Sequence, residues 1–176
     1  KNKRFLGMSS YIRYATADDA DILGNIHSQS LIASFKGIIP DDVLCEDFSF
    51  ERRRNRFYQE LIQGHPETAI MYFDNIPVGF ISFGESRYSE KVEKLIEIWR
   101  IYILPSHWRQ GIGTQLMNWG INELRRKGFK KAELWVLEDN FRARSFYEKY
   151  GFIHDGSTRI INYGRNLNEY RYIIDI

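Results

Sequence analysis

The chain has little to hold it together covalently or to anchor it in a bilayer. Its 176 residues include one cysteine, Cys45. A lone cysteine cannot form an intrachain disulfide, and Cys45 reads as a small buried hydrophobe. No apolar run approaches the roughly 20 residues needed to cross a membrane, and no signal peptide is visible. These absences fit a cytoplasmic protein with no membrane partner. Charge of one sign is scarce too. The formal net charge is +2, which argues against nucleic acid as the main partner. No His, Cys and acid cluster has metal-ligand spacing, so no metal is expected, and His27 reads as a helix residue at the core margin. Internal repeats, low-complexity segments and linkers are absent. Residues 1–10, starting KNKRFLG, read as an N-terminal tail, natural or left by cloning. Residues 11–176 suffice for one domain with a sizeable core.

What is present centres on Glu97 to Gly128. The run Leu95–Leu104 is short, rich in Ile, Trp and Tyr, and apolar on both alternating faces. That pattern suits a central strand buried on two sides. Pro105 stops it and a turn follows. From Gly113 onward, Leu116, Met117, Gly120, Ile121 and Leu124 fall on one helix face. Arg125, Arg126 and Lys127 load the last turn, and Gly128 ends it. The first amides of a helix lack intrahelical partners and its dipole attracts anions. Gly111 and Gly113 leave the backbone approachable, and Arg109 adds charge beside it. The turn is neither a Walker loop nor the dinucleotide fingerprint, since the required Gly-Lys and third glycine are missing. On these residues alone, a phosphate site and a plain tight connection both stay open.

The rest of the chain fits around that unit. Tyr11–Ala15 reads as a first strand. Thr16 then caps a helix carrying Ala20, Leu23, Ile26 and His27 on one side. Leu31–Ile39 reads as a bent helix or loop beside a cleft. Asp41–Cys45 starts a short helix, and Ser49 caps another that runs to Gln63. The basic run Glu51–Arg56 reads as a solvated helix face; the alternative, a phosphate or RNA contact, predicts binding that falls with salt. Thr68–Phe73 and Ile76–Glu85 form a hairpin around Asp74-Asn75. A polar loop, Ser86–Lys94, leads into the central strand. Ala132–Leu137 should pair parallel to that strand by a right-handed crossover. Asn140 opens NFRARSFYEKYGF, with Ala143, Phe146, Tyr147 and Tyr150 on one helical face. Phe152–Asp155 and Glu169–Ile174 read as strands. The expected architecture is mixed α/β, with antiparallel strands first and then a parallel β-α-β unit.

Three pieces in this order and spacing, EIWRIYILPSHWRQGIG, LEDN and FYEKYGF, resemble the GNAT superfamily of acetyl-CoA-dependent N-acetyltransferases. The resemblance runs from Tyr11 to about Ile174 and is strongest over Glu97–Phe152. It implies a GNAT-like mixed sheet with helices on both faces, and acetyl-CoA as co-substrate. The central-strand backbone at Ile101, Tyr102 and Ile103 would pair with the pantetheine arm. The turn Trp108, Arg109, Gln110, Gly111, Ile112 and Gly113, with Thr114, would hold the pyrophosphate. Asn140 would contact the pantetheine arm, and Tyr147 would protonate the leaving thiolate. Trp108 departs from the Gln or Arg common in the family and is expected to alter the packing of the turn. Read from the residues alone, Tyr147 is a core aromatic and Asn140 a helix cap.

Glu97 stands out as an acid in an apolar strand, costly to bury unless paired. In some relatives a matching Glu deprotonates the acceptor amine; here it is either that base or the wet end of the strand. The need is easily sized. An alkyl amine with a pKa near ~10.4 costs about 4–5 kcal/mol to deprotonate at pH 7. Other relatives place such a Glu in the next strand instead; Trp135 stands at the matching position, so that variant is absent here.

The implied activity is acetyl transfer to a primary amine of a small molecule or peptide. The alternative is a non-catalytic acyl-CoA sensor. The stretch Ile26–Leu44 resembles a group of bacterial GNAT enzymes acting on small molecules or protein N-termini, which offers Phe35 and Ile38 as acceptor-wall candidates. An acidic pocket would point to polyamines or aminoglycosides, and a narrow apolar one to amino acids or peptide termini. The resemblance also allows a homodimer.

Overall fold

The computed structural model describes residues 9–176. Most of the expected N-terminal tail therefore lies outside the described residues. Ser10 belongs to the first strand, and the Ser9 backbone N–H donates to Asp74 at 3.1 Å.

The strands form one seven-stranded sheet in the order β1-β2-β3-β4-β5-β7-β6. They are β1 (Ser10–Tyr14), β2 (Glu67–Phe73), β3 (Ile76–Gly84), β4 (Leu95–Ile103), β5 (Lys131–Leu137), β6 (Ile153–Asn162) and β7 (Asn166–Asp175). All neighbours run antiparallel except β4 and β5. The helices are α1 (Ala20–Phe35), α2 (Asp41–Asp47), α3 (Phe50–Gln63), α4 (Ile112–Arg126) and α5 (Phe141–Tyr150). The β2–β3 hairpin turns on Asp74 and Asn75, both at positive φ (49° and 62°). That twist matches the flanking strands.

The two-residue period of the strands divides the core. Along β2, Ala69 and Met71 pack with Leu116, Met117 and Ile121 of α4. Their neighbours Ile70 and Tyr72 pack on the other face with Leu23 and Ile26 of α1 and Phe57 of α3. Each fully buried Leu, Ile, Met or Phe among them contributes about 1.5–3 kcal/mol. A third cluster joins Leu31 and Phe35 of α1, Leu44 and Phe48 to Leu137 and Leu167, tying the N-terminal helices to the far half of the sheet.

Three local expectations change. Leu31–Phe35 continues α1 without a bend, because its apolar residues reach this third cluster. Strand β6 extends well past Asp155; the pattern hides this because the pairing slips between His154 and Thr158, around Gly156 at φ 89°. Cys45 is exposed on α2 rather than buried, since Leu44 takes the inward position.

Candidate active site

Strands β4 and β5 pair only through Leu95–Lys131, Ile96–Ala132 and Glu97–Glu133. Beyond Glu97, β4 stays with β3 up to Ile103, while β5 follows β7 up to Leu137. The two strands therefore splay, and one edge of β4 is left facing an opening. A cleft of about 920 Å³ fills that opening and reaches from the turn before α4 to α3 and β6. The Leu104 N–H donates to Val78 of β3 at 2.8 Å. By antiparallel alternation the backbone of Tyr102 also points to β3, while Ile101 and Ile103 point into the opening. This corrects the expectation that three consecutive residues pair with the coenzyme arm. The Ile103 carbonyl is already taken: it accepts from Ser30 Oγ at 3.1 Å and from Trp108 Nε1 at 2.8 Å. Its N–H and both groups of Ile101 remain for a ligand.

The turn after β4 is built to expose amides. Pro105–His107 makes one 3-10 turn, and the Trp108 N–H closes it onto Pro105. Arg109 (φ 59°) and Gly111 (φ 77°) then reverse the chain into α4. Among the described residues, the N–H groups from Arg109 to Thr114 donate to no backbone oxygen; the first to do so is Gln115, to Gly111 at 3.1 Å. Six consecutive free amides at a helix start make an anion cradle. A Cβ at Gly111 would meet nothing within 4 Å, so its positive φ, not lack of space, calls for glycine. Trp108 ties the turn to β4 through its indole N–H, and the Arg142 guanidinium sits 3.5 Å from its ring centre.

Helix α5 forms the facing wall. Asn140 caps it, its Oδ1 accepting from the Ala143 N–H at 3.3 Å. Both Asn140 and Tyr147 line the cleft. The Tyr147 ring packs against Phe146, Phe152 and Tyr172. Burial pushes its hydroxyl up to about 12, while nearby Arg142 pulls the other way. A tyrosine in that state is a proton donor at neutral pH.

The sequence model of the Acetyltransferase (GNAT) family matches residues 35–152. The chain belongs to the GNAT acetyltransferase family. It is 30% identical over 140 residues to an uncharacterized N-acetyltransferase of Archaeoglobus fulgidus, covering 77% of this chain and 88% of that protein. It is 22% identical to a spermidine N(1)-acetyltransferase of Thermoplasma acidophilum, covering 82% and 89% of the two chains. In fold it resembles the PaiA N-acetyltransferase of T. acidophilum in complex with coenzyme A, with a TM-score of 0.76, 20% identity, and 96% and 100% of the two chains covered. The yncA acetyltransferase of Salmonella typhimurium with acetyl-CoA gives a TM-score of 0.70, 19% identity, and 95% and 94% coverage.

Within this GNAT frame, Glu97 does not line the cleft. Its carboxylate is fully buried and accepts three hydrogen bonds from Arg87: from the backbone N–H at 2.8 Å, Nε at 3.1 Å and Nη2 at 2.6 Å. A carboxylate so paired is poorly placed to take a proton from an amine. Glu97 thus forms a buried ion pair with Arg87 and stands apart from the cleft lining. Of the two acceptor-wall candidates, Phe35 lines the cleft, whereas Ile38 lines a separate small pocket beside Pro40.

Sequence reasoning missed the arginines. Arg53 and Arg56 of α3, read as a solvated face, line the cleft, as do Arg100 of β4 and Arg159 of β6. Arg142 was missed beside Trp108; its place in the first turn of α5, two residues after Asn140, was the available signal. His27 also reaches the cleft and is buried rather than marginal. Burial, then Arg100, Arg53 and Arg56, hold its imidazole well below the usual range, so it is neutral. Glu169 is a carboxylate of the cleft wall, and it is ion-paired with Arg159.

Proposed function

We propose that this GNAT protein transfers the acetyl group of acetyl-CoA to a primary amine by direct attack. The observation that carries the reading is the row of free amides from Arg109 to Thr114 opening onto the splay of β4 and β5 beside Tyr147. Those amides, with Arg109 and Arg142, suit a diphosphate. The exposed backbone of Ile101 and Ile103 and the side chain of Asn140 suit the pantetheine arm. The coenzyme supplies a thioester carbon and a thiolate leaving group. An N–H of β4 would polarise the carbonyl oxygen, Tyr147 would hand its proton to the sulfur as the C–S bond breaks, and the surplus proton of the attacking nitrogen would restore the Tyr147 hydroxyl.

With Glu97 locked to Arg87, the amine needs another route to its neutral form. The arginines supply one, because like charge disfavours an ammonium and lowers its pKa. The relative named as a spermidine acetyltransferase raises a polyamine acceptor for this chain. The cationic lining argues against it, since a polyamine brings two or more further positive charges into the same cleft.

The test is thiol release from acetyl-CoA against a panel of amines, with folding followed by circular dichroism. Turnover with at least one amine supports the reading. Calorimetric binding of acetyl-CoA without turnover on any amine would instead favour the sensor.

A further inference from the structure

Several side chains that line the cleft carry buried hydrogen-bond donors with nothing to bond. Arg53 Nε, Arg100 Nε, Arg159 Nη1 and Trp135 Nε1 are all buried and make no hydrogen bond among the described residues. Their four residues line the same cavity but come from α3, β4, β6 and β5. Unpartnered buried donors are rare in folded proteins, and each is costly. Four of the orphan atoms around this cavity are donors, beside His27 Nδ1, which is also buried and unpartnered and whose role depends on its tautomer, and such a set favours a group that mainly accepts. An ionised acid is such a group. The other buried carboxylate with an unpartnered oxygen, Glu133, does not line this cavity and pairs with Arg171 at 3.3 Å.

The charge balance agrees. Arg53, Arg56, Arg87, Arg100 and Arg159 line the cleft. The carboxylates paired with them are Glu97 on Arg87, Glu169 on Arg159, and Glu60, which Arg56 and Arg100 share. Five guanidiniums thus meet three carboxylates, and Arg53 has neither an ion-pair nor a hydrogen-bond partner among the described residues. Arg100 is only 9% exposed, so its charge is screened weakly by solvent. Burial and Arg56 together hold the Arg53 guanidinium below its usual range, a strain that a bound anion relieves. The coenzyme phosphates have their own cradle after β4, whereas Arg100 lies inside the strand and Arg53 on another helix.

We propose that the acceptor is a small amine carrying an acidic group, a carboxylate or a phosphonate, which Arg53, Arg100, Arg159 and the Trp135 indole hold while the amine faces the thioester. This rests on the acetyl-transfer reading above. The acid fixes the register of the substrate, and the aromatic rings of Trp99, Trp135 and Tyr88 on the same lining would meet an apolar side chain.

The experiment compares matched acceptors: L-phenylalanine with L-phenylalaninamide, 2-aminoethylphosphonate with its dimethyl ester, and spermidine. The acids should exceed their neutral partners by about 100-fold or more in kcat/KM, because the neutral forms leave buried donors unpaired. The carboxylate and phosphonate arms decide which acid fits better. Arg53→Met should raise KM for the preferred acid about 10- to 100-fold and leave acetyl-CoA affinity within about two-fold, since its donors lie apart from the diphosphate cradle. Arg53→Lys should restore only part of the loss. Equal rates for acid and amide, faster turnover of spermidine or of a peptide blocked at its C-terminus, or loss of acetyl-CoA binding in Arg53→Met would each overturn the proposal. Calorimetry with 3-phenylpropionate and ethylphosphonate, which lack the amine, reads the anion site without catalysis. Anion binding that Arg53→Met abolishes, in a protein that turns over no amine, would sink the transfer reading and with it the acceptor assignment, and keep only the anion site.

Discussion

At the end of the cleft proposed for the coenzyme, the wall is built from backbone: free amides after β4, a strand edge facing the opening, and one glycine at positive φ. At the end proposed for the acceptor it is built from long side chains, with guanidiniums on the lining from α3, β4 and β6. The first end is assembled from residues close together in sequence. The second gathers residues spread from Arg53 to Arg159. Backbone recognition tolerates changes of side chain, so a coenzyme site of this kind survives wide divergence. Side-chain recognition changes with single substitutions, which suits a surface that sets acceptor choice. Glu97 sits at the junction, where β4 and β5 part, and its pairing with Arg87 anchors the fork.

The difference between the two ends can be tested by substitutions that should affect one and spare the other. The largest effect is expected from Tyr147→Phe, which should lower kcat about 10²- to 10⁴-fold while calorimetry shows acetyl-CoA affinity nearly unchanged. An unaltered kcat removes Tyr147 from the chemistry. Because burial raises its hydroxyl to about 12, the acid stays protonated as pH rises from 7. The wild-type kcat profile should therefore show no descending limb from this group until the pH nears that value, and a limb at pH 9 that Tyr147→Phe abolishes contradicts the assignment.

Glu97→Gln separates ion pair from base. It leaves the Arg87 cation without its partner and should cost about 3 kcal/mol of stability, read by urea denaturation. At temperatures where the variant is folded, kcat should stay within a few-fold. A normal melting curve with a collapsed rate would restore Glu97 as the base.

At the coenzyme end, Gly111→Ala forces a Cβ into a left-handed conformation at a cost of about 1–2 kcal/mol. Acetyl-CoA affinity should fall up to roughly ten-fold as the turn relaxes, and the KM for the amine should not move. The smallest effect is expected at the acceptor end from Trp135→Phe, which deletes one orphan donor while keeping an aromatic ring. A few-fold rise in acceptor KM, with unchanged coenzyme affinity, fits one neutral hydrogen bond of about 1 kcal/mol. If Gly111→Ala and Trp135→Phe shift both constants alike, the two ends are not independent.

Legibility in the sequence followed the range over which each feature is encoded. The strand-turn-helix unit showed itself because both periodicities and the glycine turn lie within one continuous stretch. The hairpin was visible for the same reason, through Asp74-Asn75. Asn140 and Tyr147 were singled out through the family resemblance, and both line the cleft. The partner of Glu97 was not visible, because Arg87 lies in a polar loop that the two-residue strand period does not reach. Arg53 and Arg56 looked solvated because a polar helix face gives no sign of what stands opposite it. The pairing slip at Gly156 cut β6 short in the pattern, since alternation fails where an extra residue enters a strand.

The sequence alone determined the order of elements, the parallel unit at the centre, the amide-rich turn and the family, because these depend on backbone conformation and on patterns a few residues long. Only the tertiary structure decided that Glu97 is buried in an ion pair, that Tyr102 turns its backbone away from the opening, and that arginines from separate elements converge on one wall. Those outcomes depend on how far β4 and β5 diverge and on which side chains then meet across the gap, and no local run of residues encodes that distance.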